Sequence, residues 1–237
     1  MRIDKFLCDM GQGSRKDVKQ LLKEGKVSVN GETVKKADMH INENADKIFC
    51  AGKEIFYKKY IYLMLNKPEG YISANEDKKY RVVTELVEEK YKMYDVFCVG
   101  RLDIDTTGLL ILTNDGEFSH HLTSPRHHIP KKYYAKIQGE VNKFDVQKMK
   151  EGIEIDDGYN CLPAELEIIS VNDGESFIYL TICEGKFHQV KRMFEAVGKK
   201  VLTLERISMG NLKLDNSLER GKMRALTQKE VEELMRN

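Results

Sequence analysis

Two carboxylates, Asp103 and Asp105, sit in the short stretch Val99-Gly-Arg-Leu-Asp-Ile-Asp-Thr-Thr-Gly108, just ahead of the apolar run Leu109–Leu112. A carboxylate held rigidly at a strand entrance can serve as a nucleophile or a base. Asp is also a common turn former through bonds to its local backbone, so spacing alone leaves both roles open. A glycoside-hydrolase pair fits poorly, because its two acids must flank a sugar from opposite faces, roughly 5–10 Å apart. A second charged cluster is Lys186-Phe-His-Gln-Val-Lys-Arg192. It is either the basic start of a surface helix or the source of a cation for an acid in a closed pocket. Such a cation would offset the rise in carboxyl pKa that desolvation causes. Tyr133, in Tyr133-Tyr-Ala-Lys-Ile137, reads by alternation as an ordinary strand residue. His120-His121 and His127-His128 are adjacent pairs with no Asp or Cys at ligand spacing, so no metal site is expected.

The elements that must hold these groups fall into two parts. A boundary is expected near Tyr57–Tyr60, giving domains over residues 1–58 and 59–237, because a strand-like run, Tyr60-Ile-Tyr-Leu-Met-Leu65, begins there. In the first part, Ile3, Phe6, Leu7 and Met10 share one face of a helix over 2–10. Ser14 caps a second helix over 15–24, with Gly25 closing it. A strand over 26–29 meets the turn pair Asn30-Gly31, and a return strand is expected from Val34. Arg15, Lys16, Lys19 and Lys23 lie on the second helix, the last three on one face; alone, that is an ordinary solvated face. In the second part, strands are expected over 61–65, 109–112, 133–137, 164–171, 177–183 and 201–207. Helices are expected over 83–90, 143–151, 188–197 and 228–235, with another after Gly116. Several strands follow one another without helices, which predicts an α+β fold with a mixed or antiparallel central sheet.

Composition narrows the function classes. Charged residues make up 32% and hydrophobic residues 41%, unlike a disordered chain. No apolar run is long enough for a membrane span, and the N-terminus lacks a signal-like stretch, so a cytoplasmic protein is expected. Five cysteines without a CxxC argue against a disulfide scaffold or a zinc site. The net charge is +3 for residues 1–58 (12 basic, 9 acidic) and −2 for the remainder (27 basic, 29 acidic). Affinity for nucleic acid must therefore come from local patches.

Longer strings carry more. "RIDKFL…GSRKDVKQLLKEGKVSVNGETV" resembles the alpha-L RNA-binding module, named after ribosomal protein S-four. "GRLDIDTTGLLILTNDG" closely resembles the active-site motif of the pseudouridine synthases, and the whole chain resembles their RsuA family in motif order. Leu65–Tyr71 matches "NKPxGY", Pro130–Tyr133 and Glu184–Phe194 match two further motifs, and Leu218–Leu226 resembles "L-x-x-G-x-x-R-x-L". The resemblance implies isomerisation of uridine to pseudouridine in 16S ribosomal RNA, at uridine 516 in the customary numbering. It implies Asp103 as nucleophile, Tyr133 packing on the target base, and Lys191 as the cation paired with Asp103. Lys191 stands where the wider superfamily often has Arg, so a bidentate pair is not assured. RNA contacts are expected from Arg101, Arg126, Lys131, His188, Gln189 and Arg192, and from Arg15, Lys16, Lys19 and Lys23; the histidine pairs would contact RNA or cap helices. Asp105 is assigned to the loop. The reaction oxidises and hydrolyses nothing, so no cofactor or metal is expected. The expected partner is 16S RNA or a partly assembled small subunit, met by a monomer. A 23S target and a non-catalytic assembly factor are the alternatives. A mere binder has no use for a carboxylate among phosphates, which favours the enzyme.

Overall fold

The computed structural model describes residues 1–236 and divides into two compact units, Met1–Ile61 with Glu89–Asp95, and Tyr62–Glu88 with Val96–Asn237. In the first unit, α1 (Ile3–Asp9) buries Ile3, Phe6 and Leu7. Ser14 and Asp17 form a capping box for α2 (Arg15–Lys23), which buries Val18 and Leu22. Strands β1 (Val27–Val29), β2 (Glu32–Thr33), β3 (Ile48–Cys50) and β4 (Lys53–Ile55) form an antiparallel sheet in the order β2-β1-β3-β4. Asn30 and Gly31, with φ of 52° and 90°, close the first hairpin in two residues. Pairing therefore resumes at Glu32 opposite Val29, and the return strand precedes Val34 instead of starting there. Tyr57 and Tyr94 pack on this core, which is why the short stretch 89–95 belongs with it rather than with the residues around it in sequence.

The second unit is built on β5 (Tyr62–Lys67), the small parallel pair β6 (Tyr71–Ile72) and β7 (Arg81–Val82), and β8 (Phe97–Val99). The helix expected over 83–90 is a 3₁₀ turn, Val83–Leu86, ended by extended Val87, whose side chain is buried; after Glu88 the chain enters α3 (Glu89–Lys92), which belongs to the first unit. Next come β9 (Thr106–Thr113), α4 (Gly116–Thr123), β10 (Lys131–Gln138), α5 (Lys143–Glu151), β11 (Glu165–Asn172) and β12 (Glu175–Ile182). The chain ends with α6 (Gln189–Glu195), β13 (Lys200–Met209), β14 (Leu212–Lys213), β15 (Met223–Ala225) and α7 (Gln228–Met235). The main sheet runs β11-β12-β10-β13-β9-β5-β15, with β14 on β13 and β8 on β9. Among the described residues only β13 and β9 pair in parallel there, which makes the α+β sheet mixed. Leu109–Leu112 are fully buried, as a central strand covered on both faces requires. Phe118 and Leu122 of α4 and Leu234 of α7 pack with Met64, Leu109 and Ile111 on one face. Gly108 lets β9 meet β13 closely: a Cβ there would lie 2.3 Å from the Arg206 carbonyl oxygen. No described helix is long and apolar enough to cross a membrane, and the five cysteines are unpaired.

Candidate active site

The loop between β8 and β9 carries Asp103 and is fixed from beneath. Lys67, at the end of β5, has no exposed surface. Its ammonium donates to the backbone oxygens of Thr106 (2.7 Å), Asp103 (3.0 Å) and Pro68 (3.1 Å), and approaches that of Ile104 (3.4 Å). The Ser73 hydroxyl accepts from the Leu102 N–H and donates to the Leu102 carbonyl. The Gly70 N–H donates to the Ile104 carbonyl. Burial pushes the Lys67 pKa down to about 8, with Asp105 and Asp103 opposing the shift. A turn preceding a strand is thereby converted into a rigid mount for one half-buried carboxylate.

Across the cleft, α6 delivers Lys191. Its Nζ lies 3.2 Å from Asp103 Oδ2, and 2.7 and 2.9 Å from the two oxygens of Asp105. Asp105 is therefore more than a loop former, because it shares the cation with Asp103. Burial pushes the Asp105 carboxyl up, but the Lys191 bond and charge outweigh it and hold the pKa below the ordinary 3.8. Burial likewise acts to lower the Lys191 pKa, and the two acids leave it raised. His188, in a left-handed conformation, puts Nε2 3.7 Å from Asp103 Oδ1 and stacks on the exposed ring of Phe187.

Tyr133 on β10 and Asp103 line the same cleft, together with Arg101, Lys131, His188 and Arg206. The cleft encloses roughly 920 Å³, at the upper end of the range of about 300–1,000 Å³ for ligand sites. Arg101 is exposed there, whereas Lys131 is buried. Arg126 is exposed on a 3₁₀ turn whose neighbours, Pro125 and His128, line the cleft in its place. Arg15, Lys16, Lys19 and Lys23 are all exposed on α2 in the first unit. His127 Nδ1 bonds the His121 carbonyl, and no described group of residues could hold a metal ion.

One expected RNA contact, Gln189, is corrected, and another, Arg192, is already paired within the protein. Gln189 is buried: its amide donates to Glu184 (2.7 Å) and its oxygen accepts from the Lys186 N–H (2.8 Å). Arg192 is paired with the exposed Asp156 (2.5 Å) and Asp157 (2.7 Å). Glu184 also accepts from the Tyr159 hydroxyl and the Leu162 N–H, so it ties the 159–162 segment to the start of α6. The hydrogen bond to Glu184 helps push the Tyr159 hydroxyl up to about 12. Lys67, Glu184, Tyr159 and Arg206 carried no sequence assignment. The available signal for Lys67 was its place in the Leu65–Tyr71 string, where Asn66 and Lys67 end a strand before Pro68.

Lys67→Met tests the mount. Without the ammonium the 103–106 carbonyls lose their common donor, and a misplacement of about 1 Å costs roughly 10²-fold in rate. Single-turnover rate is expected to fall by about that factor while RNA affinity holds. A linked effect appears in stability. An unfolded lysine keeps its proton to about 10.5, whereas folded Lys67 releases it near 8. The unfolded state binds more protons between those values, so this group makes stability rise with pH across that window. Urea unfolding at pH 8 and 10 should lose that increment in the variant.

Comparison with known proteins follows the same division. Residues 61–196 match the RNA pseudouridylate synthase family, and residues 1–46 match the S4 domain. An uncharacterized RNA pseudouridine synthase of Bacillus subtilis, YtzG, is 42% identical over 98% of this chain and 97% of its own length. Ribosomal small subunit pseudouridine synthase A of Vibrio vulnificus is 40% identical over 98% of each chain. The crystal structure of a pseudouridylate synthase, 37% identical, superposes with a TM-score of 0.69 and covers 99% of each chain.

Proposed function

The chain belongs to the RNA pseudouridylate synthase family, and from that premise we propose that it isomerises one uridine of small-subunit, 16S, ribosomal RNA, with uridine 516 as the target. The observation that carries the chemistry is the Asp103–Lys191 ion pair in a pocket shared with Tyr133. The reaction breaks the bond between uracil N1 and the ribose C1′, turns the base, and joins C5 to C1′. The C5 proton is lost and N1 ends protonated, so no oxidant, reductant or water is consumed. Asp103 supplies the carboxylate that acts at C1′ or at C6, or as a base at the sugar. Lys191 keeps that carboxylate charged once RNA has displaced water. The extruded uracil stacks on Tyr133, a contact worth roughly 1–3 kcal/mol. The choice of small-subunit RNA is supported by relatives named ribosomal small subunit pseudouridine synthase A along their full length. Pseudouridine mapping of total ribosomal RNA with and without the gene tests it. Loss of a single 16S site is expected, and loss of only a 23S site would reassign the substrate.

Residues 1–58 serve as a docking domain in this reading. Because Tyr94 shares the first unit's core, substitution is a cleaner test than deletion. Lys16, Lys19 and Lys23 changed together to Ala should lower the slope of log affinity against log salt by about two to three, at 0.7–0.9 per phosphate. The rate at saturating RNA should be unchanged. Equal salt slopes for both proteins would remove α2 from the RNA interface.

A further inference from the structure

β10 and β13 place Tyr133 directly opposite Arg206, and Lys131 two residues before Tyr133 on the same face of the sheet. All three line the cleft that holds Asp103. Arg206 is only 3% exposed. Its Nε donates to the Leu109 carbonyl (2.8 Å), but its Nη2 is buried with no acceptor among the described residues. Buried guanidinium donors are nearly always satisfied, so this one marks a place where an acceptor is wanted. Lys131 is 9% exposed, and its ammonium has no hydrogen bond or ion pair among the described residues. Burial, and then the positive charge of Arg206, hold the Lys131 pKa below the ordinary lysine value. Two cations thus lie within each other's field. The charge of Glu184 partly opposes this at Lys131, but no acid bonds either cation: the Glu184 oxygens accept from Tyr159, Leu162 and Gln189, and Asp103 pairs with Lys191.

We propose that Lys131 and Arg206 form a buried phosphodiester-binding subsite that grips the RNA backbone beside the uridine stacked on Tyr133. The proposal rests on the RNA-isomerase reading above and adds to it the group that anchors the extruded nucleotide. A uracil carbonyl is neutral and needs one donor, whereas two neighbouring cations with no acid bonded to either select an anion. The anion that any RNA segment brings is its phosphodiester. An arginine fork suits two phosphate oxygens, and the lysine adds a point charge.

The test is a double-mutant cycle between protein and RNA. The RNA is a ribosomal fragment that the wild type modifies, made with a neutral methylphosphonate at one linkage at a time around the target. At one linkage the wild type is expected to lose about tenfold in affinity. Lys131→Met should lose about tenfold on native RNA and nothing further at that linkage. Its salt slope should fall by about one contact, 0.7–0.9, and Lys131→Arg should restore binding. Arg206→Lys gives a second arm that keeps a cation in place, since Arg206→Met also removes the Leu109 bond and can unfold the sheet. Losses that multiply at every linkage, or an unchanged salt slope for Lys131→Met, would overturn the subsite. Coupling to 4-thiouridine at the target, with none to any methylphosphonate, would overturn it in favour of a base contact. Modification of a 23S fragment and no 16S fragment would sink only the small-subunit reading, and the cycle is then run on the fragment that is modified.

Discussion

Asp103→Asn should abolish turnover by at least about 10³-fold, equivalent to roughly 4 kcal/mol of barrier. The substitution keeps the shape of the side chain. It leaves the loop untouched, because the loop is held through backbone groups: the Asp103 carbonyl accepts from Lys67 and from the Thr106 N–H, and neither bond involves the carboxylate. RNA affinity should survive for the same reason, as no phosphate contact is assigned to this residue. Binding and single-turnover measurements on one preparation separate the two effects. A variant with a tenth of normal turnover would remove Asp103 as the nucleophile. Asp105→Asn is the matched control. It leaves Lys191 to Asp103 alone, at 3.2 Å in the wild type, and a loss within about tenfold is expected.

What could be read from sequence was what local rules govern. The helices over 143–151 and 228–235 appear with those limits, because capping boxes at Asn142 and Thr227 start them. The position of Asp103 before a buried strand followed from a turn signal next to an apolar run. The missing parts depend on long-range pairing. Lys67 meets the 103–106 loop across 36 to 39 residues of chain, and Arg192 meets Asp156 across 36. A basic residue in a sequence looks the same whether its charge is free for phosphate, as on α2, or spent on acids elsewhere, as at Arg192. Arg206 is the converse case: it reads as one more polar residue of a β-strand, and its burial beneath the cleft depends on β13 lying between β10 and β9.

Lys191→Met should lower turnover at neutral pH by one to two orders of magnitude, about 1.4–2.7 kcal/mol, and move the acid limb of the pH–rate profile upward. In the wild type, one ammonium serves two carboxylates. Removing it leaves like charges two residues apart in a half-buried loop. Two such acids no longer both ionise readily, and desolvation is no longer opposed. The sign of the stability effect follows from Asp105. Its folded pKa lies below 3.8, so its contribution is present above that value and is lost as pH falls through the folded value. Without Lys191 that contribution is absent, so the variant should be less stable than the wild type at pH 7 and the gap should narrow as pH falls through the folded value. Lys191→Arg restores a cation and should recover most of the rate. Arg192→Met, one residue along the same helix, removes a guanidinium held by Asp156 and Asp157 and should leave the acid limb where it was. Single-turnover rate against pH for the two Met variants decides the matter. A shift in Arg192→Met with none in Lys191→Met would mean that the carboxylate takes its counter-charge from the other neighbour when RNA is bound.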